Sequence, residues 1–274
     1  MLLLFGNTSS GGDPGLTAAA LFSGTQWLLA EGTVFTFDPD KITISAWIAF
    51  DAEALPSNQF IYELYDDVNG GIVFRVWIDT DDKIRITYVN SAEDDTIATY
   101  RTGDAIPRDG NYYPFMIQLN ASDENCGGVV GKSDGTIAIQ TMEVLVDNWV
   151  AGFGYFDLSR VETSRISAAY PGTTNRIRAK VWQLTACING DTVKGEEGTA
   201  ANKFFNTDVS PAEPREWGTA MEEVPSPRSL SMEPTDYHIL PPPGFQNDTG
   251  DYPNVWILTG TLGNTNKPTA VGLP

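Results

Sequence analysis

Apolar and polar residues alternate with a period of two along much of the first half of the chain. Residues 41–50 put Ile42, Ile44, Ala46, Ile48 and Phe50 on one face, with Thr43, Ser45 and Trp47 on the other. Only an extended strand sends successive side chains to opposite sides, so this pattern predicts a β-strand. Residues 58–65 repeat it, with Phe60, Tyr62 and Leu64 on one face. The turn 66–71 contains Asn69-Gly70, a strong hairpin signal. Residues 71–79 return, with Val73, Arg75 and Trp77 against Ile72, Phe74, Val76 and Ile78. After a turn at 80–82, residues 83–90 place Ile84, Ile86 and Tyr88 together. Two more strands are predicted at 96–101 and 111–119, joined by a loop over 103–110, and a hairpin at 26–31 and 33–37, joined at Gly32.

The second half is less regular. Residues 136–140 and 142–147 predict a hairpin or a bend, and 155–159 a short strand. Residues 175–184 alternate well, with Ile177, Ala179 and Val181 against Arg176, Arg178, Lys180 and Trp182. Between 190 and 253 stand Pro211, Pro214, Pro225, Pro227, Pro234, Pro241, Pro242, Pro243 and Pro253. Proline donates nothing to a β-ladder, so this segment is not central sheet. It reads as a surface excursion with a short helix near 199–205, before a strand resumes at 254–259. Short strands at regular spacing with turn residues between them predict an all-β, antiparallel β-sandwich. The expected layout is an extended N-terminal arm (1–20), a sandwich core (21–189), a long Pro-rich excursion (190–253), and a closing strand with a C-terminal tail (254–274).

The order of short motifs resembles a known family. Phe22-x-Gly24-x-x-x-Leu28 precedes Thr43-Ile44-Ser45-Ala46-Trp47 and an aromatic-rich hairpin. Then come Met142-Glu143-Val144-Leu145-Val146-Asp147, the strand at 175–184, and Lys203-Phe204-Phe205-Asn206. Last is Thr259-Gly260-Thr261-Leu262. The series is similar to the laminin-G-like, concanavalin A-like jelly rolls carried by virion proteins of tailed bacteriophages, and covers about residues 21–262. The resemblance implies two stacked sheets whose terminal strands pair. It also implies a structural protein of a phage virion, assembled in the host cytoplasm and non-enzymatic. That protein would decorate the capsid or sit at the tail periphery, bind the major capsid protein or a tail protein, and form a homo-oligomer, with a trimer expected from similar assemblies. A carbohydrate-binding module for receptor or host-surface adhesion is the alternative. A glucanase-like hydrolase ranks third.

Composition narrows the partners. The 274 residues carry 36 Asp plus Glu against 17 Lys plus Arg, a net charge of −19. Such a field repels phosphate backbones and anionic lipid surfaces, which argues against nucleic acid or a membrane as partner. Leu2, Leu3, Leu4 and Phe5 follow Met1 with no preceding basic residue. The run is too short for a signal-peptide core or a membrane span, so Leu3, Leu4 and Phe5 are expected to dock on a neighbouring molecule. Arm and Pro-rich excursion together would grip adjacent subunits, with the prolines limiting the entropy lost on ordering.

Catalytic chemistry finds little support. Laminarinase-type glucanases, which share the resembled fold, carry a Glu-x-Asp-x-x-Glu strand whose carboxylates flank the scissile bond; this chain has no such motif. The acidic run Glu93-Asp94-Asp95 lies between strands and reads as a solvated loop. His238 is the single histidine, with no Gly-x-Ser-x-Gly elbow before it. No phosphate loop occurs, since Gly131-Lys132-Ser133 lacks the leading glycine. No cofactor is expected. Calcium is the one ion with a ligand set, Asp66, Asp67 and Asn69 in one turn or Asp79, Asp81 and Asp82 in the next. The two turns lie at opposite ends of one strand and would not share an ion; Asp and Asn also favour turns for backbone reasons. Cys126 and Cys187 are too few for a disulfide framework and read as free or buried thiols, their pairing left open. Trp47 and Trp77 fall opposite the apolar faces of their strands, as sugar-stacking platforms or as filling for a second apolar layer.

Overall fold

The computed structural model describes residues 19–24, 27–31, 39–50, 58–90, 95–149, 153–167, 175–188, 192–201, 228–230, 244–245, 256–259 and 269–271. Among the described residues, seventeen strands and one short helix follow in chain order. The strands are β1 (Ala19–Ser23), β2 (Trp27–Glu31), β3 (Lys41–Phe50), β4 (Gln59–Asp66), β5 (Gly71–Ile78), β6 (Ile84–Asn90), β7 (Asp95–Arg101) and β8 (Tyr113–Asn120). They continue with β9 (Asn125–Gly131), β10 (Ile137–Ile139), β11 (Glu143–Asp147), β12 (Thr163–Ile166) and β13 (Arg178–Ile188). The helix α1 (Glu197–Ala201) precedes β14 (Arg228–Leu230), β15 (Gly244–Phe245), β16 (Trp256–Thr259) and β17 (Thr269–Val271).

The strands form two antiparallel sheets. One has eight strands in the order β10-β9-β8-β3-β13-β1-β17, with β14 added to β13; the other has nine in the order β11-β7-β6-β5-β4-β12-β2-β16-β15. Their inner faces meet in one apolar layer that includes Phe22, Ile44, Phe50, Phe74, Ile86, Tyr88, Phe115 and Val181, all nearly or fully buried. Each such side chain contributes about 1.5–3 kcal/mol by leaving water. The chain is therefore a β-sandwich, with terminal strands paired in both sheets. Trp27 lies opposite Thr259 across β2 and β16, and Leu21 opposite Thr269 across β1 and β17.

Several elements differ from the sequence reading. Both neighbours of β2 are remote in sequence, β12 and β16; the hairpin partner expected at 33–37 lies outside the described residues. β9 went unpredicted because Cys126-Gly127-Gly128-Val129-Val130-Gly131 is too rich in glycine to read as a strand. Close packing requires those glycines: a Cβ on Gly127 would sit 2.9 Å from the Lys194 backbone nitrogen. The segment 136–147 is a bend, since β10 joins the eight-stranded sheet and β11 the nine-stranded one. Residues 155–159 form no strand, while β12, four residues long, carried too short a pattern to detect. α1 overlaps the helix expected at 199–205 only at its start; 202–205 lie outside the described residues. Within the Pro-rich segment, β15 is the edge of the nine-stranded sheet, while β14 pairs with β13, an interior strand of the eight-stranded one.

Register shifts correct two faces. A bulge between Phe60 and Tyr62 turns Phe60 away from the core, where it packs on Trp77, while Ile61, Tyr62 and Leu64 stay inside. A second, between Leu64 and Tyr65, brings Val73 inward. A bulge adds one residue to one strand, and a period-two reading cannot anticipate it. β3 is buried on both faces. Its polar face is covered around residue 193, where the Val193 backbone N–H donates to Gln118 Oε1 (2.8 Å) and Gln118 Nε2 donates to Thr43 Oγ1 (2.8 Å).

The two cysteines do not pair. Cys126 sits in β9 and Cys187 in β13, with β8 and β3 between them. Three strand spacings of about 4.8 Å exceed the Cα separation of a disulfide. Cys126 is a free thiol in the core, and burial pushes its pKa far above the ordinary range.

Candidate functional site

One end of the sandwich gathers the Asp66–Asn69 turn, the 121–124 turn and the loop after β11. Asn148 fastens that loop to β7: its backbone N–H donates to Ile97 O (2.8 Å) and its Nδ2 to Thr96 O (2.9 Å). Trp149 follows and donates its indole N–H to the Tyr100 hydroxyl (3.2 Å), which donates to the Glu124 carbonyl (3.1 Å). Burial pushes the Tyr100 phenol up, against the opposing effect of the Trp149 hydrogen bond. Further along, the Asp157 N–H donates to Tyr88 Oη (3.1 Å) and the Phe156 N–H to Pro39 O (2.7 Å).

These anchors build an aromatic stack that runs from core to surface. Tyr88 meets Phe156 edge-on (centroids 4.8 Å apart) and Phe153 at 5.6 Å, and Trp149 meets Phe153 at 5.3 Å. Phe156 is fully buried, Trp149 and Phe153 are partly buried, and Tyr155 is 54% exposed. An apolar ring held open to solvent, with Asn148 and Asp157 in the same loop, combines the two features a sugar needs: a flat face for its C–H groups and acceptors for its hydroxyls. The period-two search missed this loop because its geometry comes from hydrogen bonds to three separate parts of the chain, β7, β6 and the segment before β3. The sequence signal that would have found it is aromatic density, Trp149, Phe153, Tyr155 and Phe156 within eight positions.

The tryptophans singled out from sequence lie elsewhere. Trp47 is 5% exposed on the outer side of the eight-stranded sheet, and Trp77 9% exposed on the outer side of the nine-stranded one. With the sandwich between them they do not form one platform.

The outer face of the nine-stranded sheet carries an ionic ladder. Cross-strand register aligns Arg165, Glu63, Arg75, Thr87 and Thr99. Fully buried Glu63 accepts from Arg75 Nε (2.7 Å) and Arg165 Nη1 (3.5 Å). Arg75 lies 4.2 Å over the Phe60 ring, and Arg165 4.3 Å over Tyr65. A parallel row aligns Trp77, Arg85, Arg101 and Glu143. There Asp79 binds Arg85 (2.8 Å) and Arg101 (3.4 Å), and Glu143 binds Lys83 (2.7 Å) and Arg101. Burial disfavours the Asp79 carboxylate, yet the Arg85 hydrogen bond and the Lys83 and Asp81 backbone N–H groups outweigh it and hold the pKa below its ordinary value.

The turn acids expected to offer calcium ligands are engaged by protein groups. Asp66 accepts from the Asn69 backbone (2.9 Å) and side chain (2.8 Å), and Asp67 pairs with Arg165 (3.0 Å). Asp79 accepts from the Asp81 and Lys83 backbone, and Asp82 pairs with Arg108 (2.5 Å). The two turns lie at opposite ends of β5, as expected. Among the described residues no group of three His, Cys, Asp or Glu side chains is placed to hold a metal ion. Leu3, Leu4, Phe5, His238 and Glu93-Asp94 lie outside the described residues.

No protein-family model and no curated protein matches the chain. Solved structures with a similar fold do exist. A presumed carbohydrate-binding protein from Bacteroides ovatus ATCC 8483 superposes with a TM-score of 0.58 at 12% identity, over 96% of this chain and 62% of that one. Tailspike protein 2 of an Escherichia coli O157:H7 bacteriophage gives 0.45 at 12% identity, over 73% and 27%. The LG1–3 region of the laminin α2 chain gives 0.45 at 9% identity, over 64% and 32%. The chain thus spans less than two thirds of each of these proteins. At such identities the likeness is one of fold, and it places this chain among proteins with jelly-roll-like β-sandwiches.

Proposed function

We propose that the chain is a non-catalytic carbohydrate-binding module whose ligand stacks on the aromatic loop 148–157. The observation that carries this reading is Tyr155, 54% exposed in a segment whose Trp149, Phe153 and Phe156 pack as a partly buried aromatic stack and which also carries Asn148 and Asp157. Phe153 and Phe156 are fixed by their contacts with Trp149 and Tyr88, so little entropy is lost at 153–157 when a sugar binds. Carbohydrate binding attributed to the Bacteroides ovatus protein of similar fold accords with this assignment but does not carry it. On the outer face, Glu63, Asp79 and Glu143 are all held by arginine or lysine, which suits a scaffold better than a pair of hydrolytic carboxylates. A glycan array probed with the wild-type chain and with Tyr155→Ala tests the reading. Binding lost by about tenfold or more in the variant supports it. No glycan bound by the wild type, or full binding by Tyr155→Ala, overturns it.

A second reading places such a module on a phage virion, as a capsid decoration or peripheral tail protein bound to the major capsid protein or a tail protein, as a trimer. Its support is the composition of the arm at 1–20 and of the segment 190–253. Removal of residues 1–20 should abolish incorporation into particles; normal occupancy would count against it.

A further inference from the structure

We infer that the aromatic loop 148–157 selects its ligand by charge: it takes glycans that bear no negative group and rejects those with sialate, uronate or sulfate groups. This selectivity rests on the glycan reading of the loop and names its ligand class. The chain holds no lysine or arginine over 86–100, 109–131 or 133–159. Those segments supply the loop and most of its anchors, Tyr88, Thr96, Ile97, Tyr100 and the Glu124 carbonyl. What they carry instead is acid. Asp147 is exposed directly before Asn148. Asp95 is exposed beside Thr96, whose carbonyl holds the Asn148 side chain. Asp123 and Glu124 are exposed on the turn that accepts the Tyr100 hydrogen bond. Asp157 lies within the loop and accepts from the Ser159 backbone N–H (3.1 Å).

The bases that flank the loop and its anchors leave this balance negative. Lys41, two positions after the Pro39 carbonyl that holds Phe156, is paired with Asp40 (2.5 Å). Arg101, next along β7, is held by Glu143 and Asp79. Arg160 follows the Asp157–Ser159 turn, one exposed charge against Asp147 and Asp157 on the same stretch. The negative field reaches the loop's anchor: burial is the main cause of the raised Tyr100 pKa, and Asp147 and Glu124 add to it. Ionised carboxylates only accept hydrogen bonds, so they suit the hydroxyls of an uncharged sugar. A carboxylate or sulfate on the ligand finds no charge-assisted donor there and meets like charge, which costs binding.

The test probes the full chain on a glycan array whose members come in pairs differing by one sialate, uronate or sulfate group, lactose and sialyllactose among them. Binding that depends on Tyr155 is expected for uncharged members, with each acidic partner about tenfold weaker or more at low salt. The gap should narrow as sodium chloride rises from about 0.02 to about 0.5 M, because screening acts on charge and not on shape. Neutralising two acids outside the loop, Asp147→Asn with Glu124→Gln, should narrow it too and leave the uncharged member bound. An acidic member bound as tightly as its uncharged partner, and lost in Tyr155→Ala, overturns the proposed selectivity and leaves the glycan reading standing. A gap that neither salt nor the double variant changes does the same. No Tyr155-dependent binding of any member removes the glycan reading, and the selectivity with it.

Discussion

The two outer faces of the sandwich are buried by different means. On the eight-stranded sheet the chain around residues 192–201 lies against β9, and neutral groups make the contact: Gln118 bridges Thr43 and the Val193 backbone, and Gly127 lets the backbones approach. On the nine-stranded sheet the buried polar groups include ions, with Glu63 between two arginines and Asp79 between two more, beside the neutral Thr87–Thr99 pair. Neutral hydrogen bonds ask for fit; buried ions ask for complete pairing, because an uncompensated charge in a low-dielectric site costs far more than a lost amide contact. The first face is therefore packing, and the second is a surface where donors and charges are held at fixed spacing.

The largest effect is expected from Glu63→Gln. It strands Arg75 and Arg165 without their shared anion and should cost about 3–5 kcal/mol in urea unfolding; a loss below about 1 kcal/mol would show that the ladder is not a buried ion pair in solution. Gly127→Ala on the other face should cost about 1–3 kcal/mol by forcing the Lys194 backbone away, and an unchanged midpoint would mean that residues 192–201 do not pack there. Gln118→Leu removes the bridge to Thr43 and leaves the Val193 N–H without its acceptor, about 1–2 kcal/mol, read from the same unfolding curves. Smallest and specific to the ionic face is acid. Asp79 and Glu143 both have folded pKa values below their ordinary ones: burial opposes this at Asp79 but is outweighed by Arg85, and Lys83 leads at Glu143. Their contribution is complete above the unfolded carboxylate range, near pH 4–5, and fades as pH falls through the lower folded values. Replacing both by their amides should flatten the acid limb of the stability curve; an unchanged limb would remove them as its cause.

Legibility followed the range of each interaction. The β4–β5–β6–β7 meander was readable as strands because its turns are short and its residues alternate over most of each strand, although bulges hid which side of β4 faces the core. The sugar-stacking role considered for Trp47 and Trp77 rested on their falling opposite the apolar faces of their strands; the structure does put both outside the central core, but on opposite sides of the sandwich. Tyr155 was not singled out, since it belongs to no period-two pattern, and the loop that carries it is anchored by Trp149 reaching Tyr100, a partner 49 positions away. The same holds for Glu63 and Arg165, 102 positions apart.

The sequence by itself determined an all-β body. Period-two alternation, Asn-Gly and Asp-rich turns and a proline-dense segment exclude long helices and central strands where they occur, and these are local properties of the backbone. Tertiary structure alone decided which side of each strand meets solvent and which ions and rings share a face. A bulge of one residue reverses a strand's outward side, and cross-strand partners come from distant positions, so burial and charge pairing are fixed only when the sheets assemble.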